Sequence, residues 1–174
     1  MIANVPPLPD RTLLVSTEVS GGNKASVKVT SWVPAMEHPF VLEESAYMVK
    51  LPNIVYSLKY DVTDESFSDL RIAVTTDKTV TVDSKLYRWP WSNVFGHTGV
   101  CWKRQNGKCA LTDVPQKAVG EFLSTPNNRD LWGVSSSYNG PRMTYEEFLT
   151  KTQSGVNPDW LIPLNKTVTE FHNN

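Results

Sequence analysis

The chain has 174 residues, with 17 basic and 18 acidic side chains and a formal charge of -1 at pH 7. At 40% hydrophobic and 20% charged residues it excludes a disordered chain, and the length suits a single domain, 1–174, with a core of its own. The near-zero charge sets up no net field toward nucleic acid or anionic lipid, and no apolar run approaches the roughly 18 residues that cross a bilayer.

Residues 1–10 carry Pro6, Pro7 and Pro9 and read as an extended N-terminal arm. No basic start and apolar block mark a leader there, so a cytoplasmic location is expected. Residues 11–19 suit a strand, Gly21-Gly22-Asn23 a turn, and Val27, Val29 and Val33 alternate with polar or larger neighbours as in a half-buried strand. Residues 41–50 are open between a short helix and a strand. Residues 53–60 put Ile54, Tyr56, Leu58 and Tyr60 on one face, and Leu70, Ile72 and Val74 alternate again, with Val80 and Val82 after them. Turn signals every 8–12 residues make this an antiparallel meander. The polar stretch Asp61–Asp69 between its strands reads as a solvated loop.

The pattern changes after residue 110. Asp113 is placed to cap a helix over 114–124 with Pro115 in its first turn, and Ala118, Val119, Phe122 and Leu123 share its apolar face. Thr144 and Glu147 form a capping-box signature for a helix over 144–151. Residues 160–171 read as an extended apolar tail. Strands first and helices later predict an α+β domain, an antiparallel sheet of about four to six strands with helices packed on it.

Chemistry concentrates between Leu86 and Cys109, which hold three of the six tryptophans and both cysteines. A zinc site of His97, Cys101 and Cys109 lacks the close ligand pairs that structural zinc uses, so no metal is expected. No cofactor motif is present, and no cofactor is expected. Asn106-Gly107 is the favoured centre of a two-residue hairpin turn. That register sets Arg104 against Cys109 and Cys101 against Thr112, too far apart for a disulfide, so both cysteines should be thiols. Cys101 is then either a nucleophile, with His97, Lys103 and Arg104 near it in sequence, or a small buried apolar residue. Trp89, Trp91 and Trp102 either form a binding platform or fill the core. Arg88, Lys103, Arg104 and Lys108 among these aromatics could stack on single-stranded nucleic acid, the weaker expectation at this net charge.

Asn93-Val94 followed by Gly99-Val100-Cys101, with Leu86-Tyr87-Arg88-Trp89-Pro90 upstream and Pro126-Asn127 downstream, resembles the core of the ubiquitin-conjugating fold. That family places an Asn eight residues before its catalytic Cys, the spacing found here. The run is similar to a bacterial branch, the PRTRC system protein B group of plasmids and phages, which the tail Leu161-Ile162-Pro163-Leu164 also resembles. Trp91-Ser92 stand where conjugating enzymes carry His-Pro, Gly99 lies one residue closer to the Cys, and Trp102 replaces the usual Leu.

The resemblance implies a ubiquitin-conjugating-like fold, with Cys101 forming a thioester to a ubiquitin-like protein and Asn93 ordering the loop or stabilising an oxyanion. Trp89, Trp91, His97 and Trp102 are the neighbouring candidates for binding. The alternative is a catalytically inactive module, encoded by a phage or plasmid, that holds protein partners in the cytoplasm of a bacterial host. Neither requires a membrane.

Overall fold

The computed structural model describes residues 6–20, 24–102, 107–132 and 138–174. Six strands form a curled sheet in the order β1 (Thr12–Ser20), β2 (Lys24–Val33), β5 (Asn53–Asp61), β6 (Ser66–Thr75), β7 (Lys85–Tyr87) and β9 (Pro163–Thr167), every neighbouring pair antiparallel. Between β2 and β5 the chain makes a separate hairpin of β3 (Met36–Leu42) and β4 (Ser45–Leu51). The two-residue β8 (Gly107–Lys108) lies against the start of β6.

Alternation explains the central strands. Val27 and Val29 of β2, Ile54, Tyr56, Leu58 and Tyr60 of β5, and Leu70, Ile72 and Val74 of β6 all enter one large core. The hairpin and the helical segments between residues 111 and 151 cover that face. On the other face Val55, Ala73 and Leu86 meet Val80, Val168 and Phe171 in a smaller core. β5 is therefore buried on both sides.

Residues 41–50 resolve as the end of β3, a turn at Glu43-Glu44 and most of β4. The Glu-Glu-Ser-Ala composition favours a helix, but Tyr47, Val49 and Leu51 alternate inward and pair with Phe40, His38 and Met36, so packing overrides propensity. Pro39, which cannot donate to a ladder, is tolerated in this two-stranded sheet, where every strand is an edge. The loop expected over Asp61–Asp69 is shorter than its polarity suggests, since β6 begins at Ser66. Val80 and Val82 form no strand; Val80 is buried, and the Val82 carbonyl accepts the Thr169 N–H at 3.0 Å.

The helix expected at 114–124 begins earlier and is not uniform. A 3-10 turn, Leu111–Asp113, leads into a π turn, Pro115–Gly120, and then α1, Glu121–Leu123. Asp113 sits inside this run and caps nothing; Val114, at the start of the π turn, is already helical. Ala118, Val119, Phe122 and Leu123 are buried as expected.

Helix α2, Tyr145–Lys151, carries the expected capping box of Thr144 and Glu147. Arg129 bonds Glu43 of the hairpin turn and Glu146 of α2, tying the two together. The tail is not wholly extended: after β9 it forms α3, Val168–Asn173, opened by a second capping box of Thr167 and Glu170.

Two expected turns and part of the arm fall on residues outside the described ones: Gly21-Gly22-Asn23, residues 103–106 of the turn at Asn106-Gly107, and residues 1–5. Gly107 itself pairs with Phe67 of β6. No helix among the described residues is long and apolar enough to cross a membrane.

Candidate functional site around Cys101

After β7 the chain is held by side chains rather than by a strand ladder. Trp89 and Trp91 pack edge to face, 4.8 Å between ring centroids, and both are buried. Trp89 Nε1–H donates to the Ser92 carbonyl at 3.1 Å, and Trp91 Nε1–H to Thr152 Oγ1 at 3.3 Å. Phe40 and Phe148 close on Trp91 and Phe122 on Trp89. Neither indole presents a face at the surface, so these two fill the core and are not a platform.

The next residues are fixed from the far side of the molecule. Asn127 Oδ1 accepts from Ser92 Oγ at 2.9 Å and from Tyr145 Oη at 2.6 Å, while the Ser92 N–H donates to Tyr145 Oη at 3.0 Å. This buried polar triangle is satisfied internally, the condition under which buried polar groups specify one geometry. Burial pushes the Tyr145 phenol up to about 12, its bonds to Ser92 opposing the rise. Asn93 is buried, and its Nδ2 donates to the Pro126 carbonyl at 3.1 Å. Its backbone is left-handed, φ 67°, a conformation Asn adopts at less cost than most residues.

From Asn93 the chain makes a tight loop. Val94 bridges Val100, the Phe95 N–H donates to the Gly99 carbonyl at 2.9 Å, and the Thr98 N–H donates to the Phe95 carbonyl at 2.8 Å. The returning arm is stitched to the edge of β6: the Ile72 N–H donates to Thr98 at 2.9 Å and the Val100 N–H to Leu70 at 3.2 Å. Cys101 follows directly. Its N–H donates to the Asn93 carbonyl at 2.7 Å, and its side chain is exposed.

His97 is exposed and stacks on Phe95, 5.4 Å between centroids and 6° between planes. The same ring lies over Gly99, where a Cβ would meet His97 Nε2 at 2.9 Å. A side chain at 99 would therefore displace the exposed imidazole from its place over the loop. Trp102 is half-buried against Phe67 and Phe122. A groove of about 420 Å³ runs between Asp69, Leu70 and Arg71 of β6 and His97, Gly99 and Trp102 of the loop.

The structure therefore brings Asn93 and Cys101 together through the backbone and sets His97 and Trp102 on one groove. Cys101 and Cys109 are both thiols. Lys103 and Arg104, the basic neighbours in sequence, lie outside the described residues. Among those described, no group of three or more His, Cys, Asp or Glu side chains is placed to hold a metal ion. Asp61 has a structural task, its Oδ1 accepting the N–H groups of Thr63 at 2.8 Å and Asp64 at 2.9 Å.

Sequence reasoning assigned no role to Ser92, Asn127 and Tyr145 together. Their only signal was Pro126-Asn127 itself, since nothing in the spacing links positions 35 and 53 residues apart. In comparisons with protein families, curated proteins and solved structures, nothing matches this chain.

Proposed function

We propose that this protein has a scaffold of ubiquitin-conjugating type and carries a ubiquitin-like protein as a thioester on Cys101. The observation that carries the reading is the exposed Cys101 thiol at the end of a loop closed by its own N–H on the Asn93 carbonyl. The antiparallel order β1-β2-β5-β6 and the helical run after Cys101 support the same scaffold.

In the step itself, the Cys101 thiolate attacks the thioester carbonyl of a donor protein. A sulfur–carbon bond to Cys101 forms, the donor's sulfur–carbon bond breaks, and the departing thiolate takes up the proton that Cys101 released. Asn93 orders the loop, its side chain held on Pro126 and its carbonyl on Cys101.

Native-state labelling with iodoacetamide at neutral pH tests the reading. Cys101 is alkylated several-fold faster than the half-buried Cys109, since its exposed thiol is open to the reagent. Slower labelling of Cys101 than of Cys109 overturns it.

A second reading, an inactive module that holds protein partners, is favoured by the outer face of the hairpin. There Val41 and Met48 are 41% and 48% exposed, beside Pro39 and Ala46. Under it, Cys101→Ala leaves co-purifying proteins in place and Met48→Lys removes them.

A further inference from the structure

The sheet face opposite the larger core has two halves. One is covered by α3, whose Val168 and Phe171 complete the smaller core. The other carries charge. Lys28 stands opposite Lys59, Thr30 opposite Ser57, and Ser57 opposite Arg71. Their neighbours Val29, Leu58 and Ile72 enter the larger core, so alternation turns Lys28, Ser57, Lys59 and Arg71 to this face together.

Around Ser57 in the register, Arg71 stands directly across, Lys28 diagonally and Lys59 two residues along, and the counter-charges of the three cations are uneven. Glu18 and Asp69 lie 3.6 Å and 3.9 Å from Lys59 Nζ. Among the described residues, Lys28 and Arg71 have no such ion pair. Lys28 is held below the usual lysine range by burial first and by the charge of Arg71 second.

An independent observation falls at the centre of the cluster. Ser57 is 1% exposed, and its Oγ has no hydrogen-bond partner among the described residues. Buried hydroxyls rarely stand so. Its neighbour Thr30 is satisfied, with Oγ1 2.8 Å from His172 Nδ1.

We propose that this face binds a tetrahedral oxyanion of the phosphate class, with Arg71 and Lys28 supplying charge and the Ser57 hydroxyl donating to one oxygen. The three donors arrive from three strands, β6, β2 and β5, and a tetrahedral anion presents oxygens in as many directions. The Arg71 guanidinium suits two of those oxygens at once. One ligand relieves the repulsion between Lys28 and Arg71 and satisfies the buried hydroxyl.

Inorganic phosphate and a phosphate monoester share this chemistry, so both are titrated. Amide chemical shifts of the full chain are followed at constant ionic strength with inorganic phosphate and, separately, with O-phospho-L-serine. Shifts at Lys28, Ser57 and Arg71 saturate with at least one of them, and chloride produces no saturating shift. The tighter ligand identifies the source.

Loss of one charge-assisted contact in Arg71→Gln weakens binding roughly tenfold or more, and Ser57→Ala weakens it less. Arg71→Lys recovers part of the affinity. Should Arg71→Gln fail to fold, Lys28→Gln is read in its place and weakens binding roughly tenfold on the same grounds. Shifts that stay linear in phosphate, shifts that chloride reproduces, or affinities unchanged in the variant that is read overturn the proposal.

Discussion

The N–H of Cys101 donates to the carbonyl of Asn93 at 2.7 Å, so the exposed thiol is positioned by a residue eight places earlier in the chain. Asn93 holds that position with a left-handed backbone and a side chain bonded to Pro126. Asn93→Ala puts a Cβ residue without a local hydrogen bond at φ 67° and leaves the Pro126 carbonyl without its donor, a cost of about 1–3 kcal/mol. Asn93→Gly relieves the backbone part and destabilises less. Urea denaturation of both variants checks this order, and equal losses would show that φ plays no part.

Phe122 joins the helical run to the site, since its ring meets Trp89 at 5.7 Å and Trp102 at 6.2 Å. At 3% exposure its truncation leaves a cavity between them. Phe122→Ala should cost about 3–5 kcal/mol. A loss within about 0.5 kcal/mol, the range of surface substitutions, would place this helix outside the core.

Alkali should unfold the protein through its buried phenols. Burial pushes both Tyr56 and Tyr145 up to about 12, against 10 in the unfolded chain. The folded state then binds more protons than the unfolded state above pH 10, so stability is complete below pH 10 and falls as pH rises toward 12. Each tyrosine contributes about 2–3 kcal/mol to that loss at its fullest. Denaturation midpoints across this range measure it. Tyr145→Phe lowers stability at neutral pH, because Ser92 and Asn127 lose their partner, and flattens the alkaline slope.

Acid acts at the other end of the chain. His172 lies between Thr30, 2.8 Å from Nδ1, and Ser16, 3.0 Å from Nε2, and so fastens α3 to the sheet. Burial first, and Lys28 second, hold its pKa below 6.5. The unfolded imidazole therefore takes up a proton before the folded one. Stability is complete above pH 6.5 and falls as pH drops below it. His38, also lowered by burial, adds to the same slope. His172→Gln reduces the pH dependence of the denaturation midpoint without abolishing it, and an unchanged slope would show that His172 does not titrate on unfolding.

The sequence made β2, β5 and β6 legible because each buries alternate residues, and Thr144 with Glu147 announced α2 directly. The hairpin was hidden because helix-forming residues and Pro39 oppose a strand locally, while its burial comes from segments distant in the chain, Trp89 and Trp91 against Phe40 and residues 145–154 against β4. The same capping-box pattern that marked α2 recurs at Thr167 and Glu170, and could have marked α3. At the site, Asn93 and Cys101 meet through one backbone hydrogen bond, which no periodicity in the sequence announces. The tryptophans stayed ambiguous, because composition alone cannot separate a buried indole from an exposed one. The contact between Thr30 and His172 spans 142 residues, beyond the reach of any local pattern.

A thioester on Cys101, as proposed, would join another protein to this chain by its carboxyl terminus. It is tested most directly by the intact mass of the tagged protein, isolated without reductant from cells that make it naturally. Wild type should carry an adduct at Cys101 that thiols remove. Cys101→Ser should carry the same adduct as an ester that resists thiols and yields to mild base, and Cys101→Ala should carry none. An identical adduct on all three, or none on wild type and Cys101→Ser from cells in which a ubiquitin-like protein is being activated, would rule out a thioester on Cys101.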